Sequence, residues 1–174
     1  MCKFRTLRAD EIDVRVQQVA KSSKGVFAML LLYKDARVDM NLLDEEFGVF
    51  GWQREHSFKD NKNYCKVSVF NPETRGWIAK EDVGVESNTE ETKGQASDAF
   101  KRACVNLGIG RELYTSPKII VQLNDNEYKE GNGGRLQMNN WIKFNVSHID
   151  YNEHRAINKL TITDQRGNVR YQFQ

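Results

Sequence analysis

The sequence has little proline and cysteine and no long apolar run. It contains only 2 prolines and 3 cysteines among 174 residues. Cys2, Cys65 and Cys104 lack CxxC spacing and are odd in number, which argues against a disulfide framework or a zinc site. The longest apolar run, Phe27 to Tyr33, is far too short to span a bilayer, and the N-terminal stretch lacks the apolar region of a secretory signal. We therefore expect a soluble protein of a reducing cytoplasm.

Motifs of nucleotide-driven and hydrolytic enzymes are also missing. There is no GxxxxGK phosphate-binding loop, no GxSxG motif, and no HExxH or HxxxH spacing. The three histidines, His56, His148 and His154, are therefore interpreted as ordinary surface or strand residues. The adjacent acidic pairs, such as Glu81 and Asp82, point apart on a helix or strand and are expected on solvated faces. We predict no enzyme activity, no cofactor and no bound metal.

Positive and negative side chains nearly balance. The chain has 26 Lys and Arg against 24 Asp and Glu, a net charge of +2. Such a balance does not by itself indicate nucleic-acid binding, so any anion site must come from local clustering. The length and the 39% hydrophobic content suit one compact domain. We predict a single α+β domain with a core at about residues 25–121, a loop at about 124–140 and C-terminal strands at about 141–174.

The first half of the chain predicts a helix followed by strands. Apolar residues recur at near-helical spacing from Thr6 to Ala20, which predicts an amphipathic helix. The run VFAMLLLY after Gly25 predicts a buried strand, and Asp39 to Phe47 predicts a short helix that ends at Gly48. Three further segments have strand character and turn residues between them, which predicts an antiparallel meander: Trp52 to Lys59, Tyr64 to Phe70 and Trp77 to Val85.

A long amphipathic helix is predicted from about Thr89 to Leu107. Asn88 and Glu91 have the spacing of a capping box, and Gly108 is a natural residue to follow the helix end. One continuous apolar stripe is formed by Ala96, Ala99, Phe100, Ala103, Cys104 and Leu107.

The remainder of the chain predicts a loop and more strands. Asn124 to Asn140 is polar and rich in Gly and Asn, which predicts a mobile loop with a strand fragment at its edge. Strand signals resume at Trp141 to Val146, Lys159 to Thr163 and Val169 to Phe173, with the last turn at DQRGN.

Two adjacent cations lie on either side of the apolar stripe. At 100° per residue, Lys101 and Arg102 each fall about 130° from its centre, so both must reach solvent. Lys93, Ser97 and Lys101 form a row that could follow a phosphate backbone. An equally weighted alternative is that Arg102 forms a helix salt bridge with Asp98.

Aromatic residues stand beside basic ones on the predicted strands: Trp52 with Arg54, Tyr64 with Lys66 and Trp77 with Lys80. Such rings can stack on bases while cations hold phosphates, although strand aromatics more often pack into a core. From these residues alone, nucleic-acid binding is a candidate function.

Three blocks of the sequence resemble a known family. They are DEEFGVFGW (Asp44 to Trp52), EDVGVES (Glu81 to Ser87) and KGQASDAFKRACVNLGIGRELY (Lys93 to Tyr114). In their order and spacing they resemble the single-strand annealing proteins of the Rad fifty-two type, and most closely their phage members, the Sak-like recombinases. The resemblance implies a β-β-β-α core with the long helix across a curved antiparallel sheet. It also implies a homo-oligomer, as a ring or helical filament, with a basic groove for single-stranded DNA.

The resemblance also implies roles for individual residues. Lys101 and Arg102 match the paired basic residues of the groove wall, and Arg37 matches a groove arginine, with one extra residue before the FG block. A further basic residue of eukaryotic members falls at Val105, so either the groove is weaker or Arg111 replaces it. The candidate nucleic-acid-binding residues are therefore Lys101, Arg102, Arg37, Arg111 and Lys93.

From these observations we expect ATP-independent, sequence-nonspecific binding and annealing of single-stranded DNA in recombination and repair. The resemblance implies a phage or prophage protein in the cytoplasm or nucleoid of a bacterial host. Its partners would be a single-strand-binding protein or an exonuclease of the same recombination system. One alternative is a passive protector of single-stranded DNA. Another is a metal-dependent nuclease, which the missing ligand clusters disfavour.

Overall fold

The computed structural model describes residues 4–85 and 91–174, apart from the side chains of residues 91–93 and 132. The described residues form an α+β fold of mainly antiparallel strands, which confirms the predicted fold class. The helices and strands are, in chain order, β1 (Asp13–Ser22), β2 (Gly25–Tyr33), α1 (Ala36–Phe47), β3 (Trp52–Lys59), β4 (Lys62–Asn71), β5 (Gly76–Val83), α2 (Glu91–Leu107), β6 (Ile119–Leu123), β7 (Tyr128–Glu130), β8 (Leu136–Met138), β9 (Phe144–Tyr151), β10 (Ile157–Asp164) and β11 (Val169–Phe173).

Internal contacts divide the chain into two compact units. The first unit comprises Met1–Arg5 and Asp35–Arg111, and the second comprises Thr6–Lys34 and Glu112–Gln174. The single-domain organisation that we expect from length stays a prediction. In the described part of the chain, no helix is both long and apolar enough to cross a membrane.

The first unit is a three-stranded antiparallel sheet with a long helix against it. Its strand order is β3-β4-β5, and α2 lies against β4 and β5. Successive side chains of a strand point to opposite faces of the sheet. On β4, one face carries Cys65, Val67 and Val69, and all three are buried. The predicted meander and β-β-β-α core are therefore confirmed, and α2 ends at Leu107 before Gly108, which has a φ of 113°. The predicted capping box at Asn88 lies outside the described residues.

Two glycines let backbone segments of the first unit approach closely. A Cβ atom on Gly51 would lie 2.0 Å from the carbonyl oxygen of Phe47 in α1. A Cβ atom on Gly84 would lie 2.1 Å from the carbonyl oxygen of Gln95 in α2. Atoms do not approach to such distances, so any side chain at either position requires the backbone to move. Each glycine therefore allows the chain to pass close to a helix carbonyl.

Helix α1 begins earlier than the sequence predicts. The side chain of Asp35 accepts a hydrogen bond from the backbone N–H of Arg37 at 2.9 Å, which caps the first turn and starts the helix at Ala36. The predicted end is confirmed, because Gly48 follows Phe47 with a φ of 74°.

The second unit is built on a six-stranded antiparallel sheet. Its strand order is β11-β10-β9-β1-β2-β6, and β1 and β9 share one residue pair, Asp13 with Asn145. The buried side of the unit is apolar and includes Leu7, Ile12, Val26, Ala28, Leu30, Ile119, Val121, Leu160 and Ile162. The predicted strand at VFAMLLLY and the three predicted C-terminal strands are confirmed, with β9 and β10 extending further along the chain than their predicted ends.

The helix predicted from Thr6 to Ala20 is wrong. The structure has only a single 3₁₀ turn, Ala9–Glu11, before β1 pairs with β2 in a hairpin. A β-bulge between Val16 and Gln18 moves the next inward-facing residue to Val19. The bulge thus separates the inward-facing Val16 and Val19 by three positions, as in a helix, which explains why the sequence predicted a helix here.

The polar segment from Asn124 to Asn140 is more ordered than predicted, because it contains the β7–β8 hairpin. It is anchored by Arg170, whose two terminal nitrogens each donate to a carboxylate oxygen of Glu127 at 2.8 Å. Arg170 also lies 3.6 Å from Asp164 and donates to the carbonyl of Gln122 at 2.8 Å. The hydrogen bonds from Arg170, acting against burial, hold the pKa of Glu127 below its ordinary value.

Candidate nucleic-acid interface

The buried face of α2 fixes the direction in which its cations point. Ala99, Phe100, Ala103 and Cys104 are all at most 1% exposed. These four residues belong to the predicted apolar stripe, so the predicted rotation of the helix about its axis is confirmed. Lys101 is half-buried and Arg102 is exposed.

Phe100 is at the centre of the contact between helix and sheet. The Trp52 ring stacks on it, with 6.1 Å between ring centroids, and the Arg54 guanidinium lies 4.9 Å from its ring centroid. The indole N–H of Trp52 donates to Asp44 at 2.6 Å. Trp52 therefore stabilises the core of this unit, which favours the core interpretation of this ring, whereas Arg54 contacts Phe100 from an exposed position.

Arg37 and Lys101 both act on the carboxylate of Asp35. Asp35 accepts a hydrogen bond from Nε of Arg37 at 2.7 Å. The side-chain and backbone hydrogen bonds from Arg37 lower the pKa of Asp35, and the charges of Arg37 and Lys101 lower it further. The Arg37 side chain is 80% exposed. Two of the predicted site residues, one from each helix, thus lower the pKa of the same carboxylate.

Arg102 lies on the other side of the stripe, against the end of β5. Its Nε donates to Oδ1 of Asp82 at 3.2 Å. Asn106, one turn further along α2, donates its side-chain N–H to Oδ2 of the same carboxylate at 3.0 Å. Burial raises the pKa of Asp82, but hydrogen bonds from the Val83 N–H, Arg102 and Asn106 together outweigh it and leave the pKa below its ordinary value.

The alternative partner predicted for Arg102 has a different role. Asp98 accepts a hydrogen bond from the backbone N–H of Val85 at 3.0 Å, across the chain from β5 to α2. Asp82, which we expected on a solvated face, is the partner that the structure provides.

Arg111 binds the end of α2. Its Nε donates to the carbonyl of Val105 at 2.7 Å, and a terminal nitrogen donates to the carbonyl of Asn106 at 2.8 Å. These bonds satisfy two carbonyls of the last turn, where a positive charge is favourable. The Arg111 side chain thereby places a cation next to Val105, the position at which the resemblance implies a basic residue. Lys93 lies within α2, but its side chain is outside the described residues.

We use the name basic surface for Arg37, Lys101, Arg102 and Arg111. Lys101 and Arg102 are neighbours in α2 and so point about 100° apart around the helix. Sequence reasoning missed the acceptors Asp35 and Asp82 and the donor Asn106. The helical spacing from Arg102 to Asn106 could have indicated that these two lie on one face, but the distant Asp82 had no such signal.

Several exposed rings lie on the first unit. Phe70 and Trp77 are 37% and 48% exposed and contact each other edge to face, with 5.6 Å between ring centroids. Phe50, in the loop between α1 and β3, is 96% exposed. Lys66, next to Tyr64, pairs with Glu55 on β3. Among the described residues, no group of three or more His, Cys, Asp or Glu could hold a metal ion.

Comparison with known proteins gives a partial match. No protein-family model matches this chain. A stretch of 50 residues is 46% identical to the single-stranded DNA-binding protein DdrA of Deinococcus deserti. The match covers 28% of this chain and 25% of that protein, so the similarity spans about a quarter of the relative. Membership of the annealing family stays a prediction.

Proposed function

We propose that this protein binds single-stranded DNA through the basic surface, in DNA repair. The observation that carries the proposal is the outward position of Lys101 and Arg102 on either side of a buried stripe. The partial similarity to a single-stranded DNA-binding protein supports the same ligand. Cations in such positions neutralise phosphates and release counterions, which gives affinity without reading the base sequence.

We further propose that the protein anneals complementary strands without ATP and does no bond chemistry. The ring nearest to Lys101 in the chain, Phe100, is buried, and Trp52 stacks on it. A surface that holds phosphates without stacking bases leaves the bases free to test pairing. Because four cations per chain can hold only a short piece of DNA, we propose a homo-oligomer, as a ring or filament. A single-strand-binding protein or exonuclease of the same recombination system would supply its substrate.

A passive protector remains the second candidate, because one observation favours it. The exposed Phe70 and Trp77 pair could stack on bases and keep them from pairing. Substituting Trp77 with Ala should leave annealing unchanged under our proposal. In a passive protector, the same substitution should weaken the affinity for single-stranded DNA.

The test is annealing of two complementary strands, one with a fluorophore and one with a quencher, without ATP. Wild type should speed pairing, and the Lys101→Ala/Arg102→Ala variant should lose most of this effect at low and moderate salt. The matched control is Lys59→Ala/Lys62→Ala, which removes the same charge from the exposed β3–β4 turn.

Binding and annealing are scored separately in this test. Wild type that binds tightly yet slows pairing is a passive protector. Equal loss in the control and the basic-surface variant means that net charge, and not this surface, binds the DNA.

A further inference from the structure

Arg102 is held by a fixed acceptor on one side of its guanidinium. The bond to Asp82 uses Nε, and the Arg102 side chain is 44% exposed against 22% for Asp82. The carboxylate is therefore the deeper partner. A guanidinium presents its terminal nitrogens as a fork that fits a phosphate, and an acceptor at Nε leaves the ends of that fork pointing away from it.

Asp82 is itself held in place from three directions. The backbone N–H of Val83 donates to Oδ1 at 2.7 Å, and Asn106 donates to Oδ2 at 3.0 Å, in addition to the bond from Arg102. Asn106 also donates, more weakly, to the carbonyl of Glu81 at 3.4 Å. The bonds from the Val83 N–H and from Asn106 do not involve Arg102, so they keep the carboxylate in place when the Arg102 side chain moves. It acts as a fixed support.

We propose that Asp82, held by Asn106, is a positioning residue that orients Arg102 toward DNA phosphate. This inference rests on the proposed function. It runs against simple electrostatics, because an acidic residue close to a DNA-binding surface repels the phosphates and its removal should tighten binding. The sign of the effect therefore decides between orientation and repulsion.

The experiment measures the affinity of the full chain for a fluorescein-labelled oligo-dT by anisotropy, together with the melting temperature of each variant. Asp82→Ala should weaken binding by about two- to tenfold, the factor for ordering one long side chain on binding. Asp82→Asn keeps an oxygen acceptor for Nε and gives up only the bond from Asn106, so its loss of affinity should be smaller than that of Asp82→Ala. In an Arg102→Ala background, Asp82→Ala should cause no further loss.

The matched control is Glu81→Ala. It removes the same charge from the residue that precedes Asp82 in β5. The register partner of Glu81 is Lys66, whereas Asp82 pairs with the buried Cys65. The two acidic side chains therefore lie on opposite faces of the sheet. Its affinity should be unchanged or higher. If Asp82→Ala does not fold, Asn106→Ala removes the side-chain support and should show a smaller loss that also depends on Arg102.

The outcomes separate the two levels of the proposal. Binding by Asp82→Ala that equals or exceeds wild type, or a loss that persists without Arg102, overturns the positioning role and leaves the DNA-binding surface intact. If Arg102→Ala itself binds as tightly as wild type, the positioning role is refuted; only retained affinity in Lys101→Ala/Arg102→Ala refutes the basic surface as well.

Discussion

Replacement of Phe100 with Ala should remove most of the stability of the first unit. The ring is 1% exposed, so truncation leaves a cavity between α2 and the sheet. A buried Phe→Ala change costs about 3–5 kcal/mol. The stacking of Trp52 and the contact with the Arg54 guanidinium are lost with it, and these place the expected cost at the upper end, about 4–5 kcal/mol.

This cost approaches the whole stability of a small protein, which is typically about 5–15 kcal/mol. With a urea dependence of about 2 kcal/mol per molar, the unfolding midpoint should fall by about 2 M. Trp52 is one of the 3 tryptophans, and its indole stacks on the deleted ring, so it should contribute a change in tryptophan fluorescence. Circular dichroism in the same titration measures loss of secondary structure.

The control is Lys101→Ala, at the next residue of the same helix. A surface substitution of this kind usually changes stability by less than about 0.5 kcal/mol, so its midpoint should stay within about 0.3 M of wild type. A Phe100→Ala protein with an unchanged midpoint would show that the rotation of α2 is wrong. The outward direction of Lys101 and Arg102 would then have no basis.

Four further predictions concern the second unit, the DNA contact and assembly. Arg170→Ala should destabilise the protein by about 3–5 kcal/mol in urea unfolding, since it leaves the buried Glu127 without its cationic partner. Glu127→Gln/Arg170→Met should recover part of this loss, and an unchanged stability of Arg170→Ala would contradict a structural ion pair. The folded-state pKa of Glu127 is lowered from 4.5, so the contribution of its carboxylate to the free energy of unfolding is fully present above pH 4.5. This contribution should be lost as the pH falls through the folded-state pKa, which acid unfolding of wild type against Glu127→Gln can measure. The log–log salt slope of single-strand affinity should be about −0.7 per phosphate contacted, so Lys101→Ala/Arg102→Ala should flatten it by about 1.4; an unchanged slope would exclude both as phosphate contacts. Light scattering should find a large homo-oligomer, and a strict monomer with and without DNA would count against the annealing proposal.

The elements that could be predicted from sequence are those with an undisturbed period. The stripe of α2 has uninterrupted helical spacing over three turns, and β2 is a continuous apolar run next to a glycine. The first strand failed because the bulge at Val16 to Gln18 breaks the period of two. The β7–β8 hairpin failed because its anchor, Arg170, lies 43 residues away from Glu127 and has no local signal.

The candidate site was predictable in its cations and not in their partners. The position of Lys101 and Arg102 relative to the stripe follows from helix geometry alone. Which residue accepts from Arg102 depends on the position of α2 against β5. In a helix, a charged residue commonly pairs with one four positions earlier, and this pattern predicted Asp98. Asp98 instead accepts from Val85, since that backbone N–H faces it where the chain leaves β5. Tertiary contact decided between two acids of equal chemistry.

The two closely packed glycines have a consequence for how related sequences are recognised. Gly51 lies in DEEFGVFGW and Gly84 lies in EDVGVES, and each leaves no room for a single methyl group beside a helix carbonyl. A library of variants selected only for soluble expression, with no DNA present, should therefore already eliminate Ala at both positions. Both glycines are needed because the backbone passes close to a helix carbonyl. They would therefore be kept in a protein that used the same fold to bind another ligand. In a search of genomes, the glycines should thus retrieve the architecture, while the Lys-Arg pair that follows Phe100 is the part that selects for a polyanion.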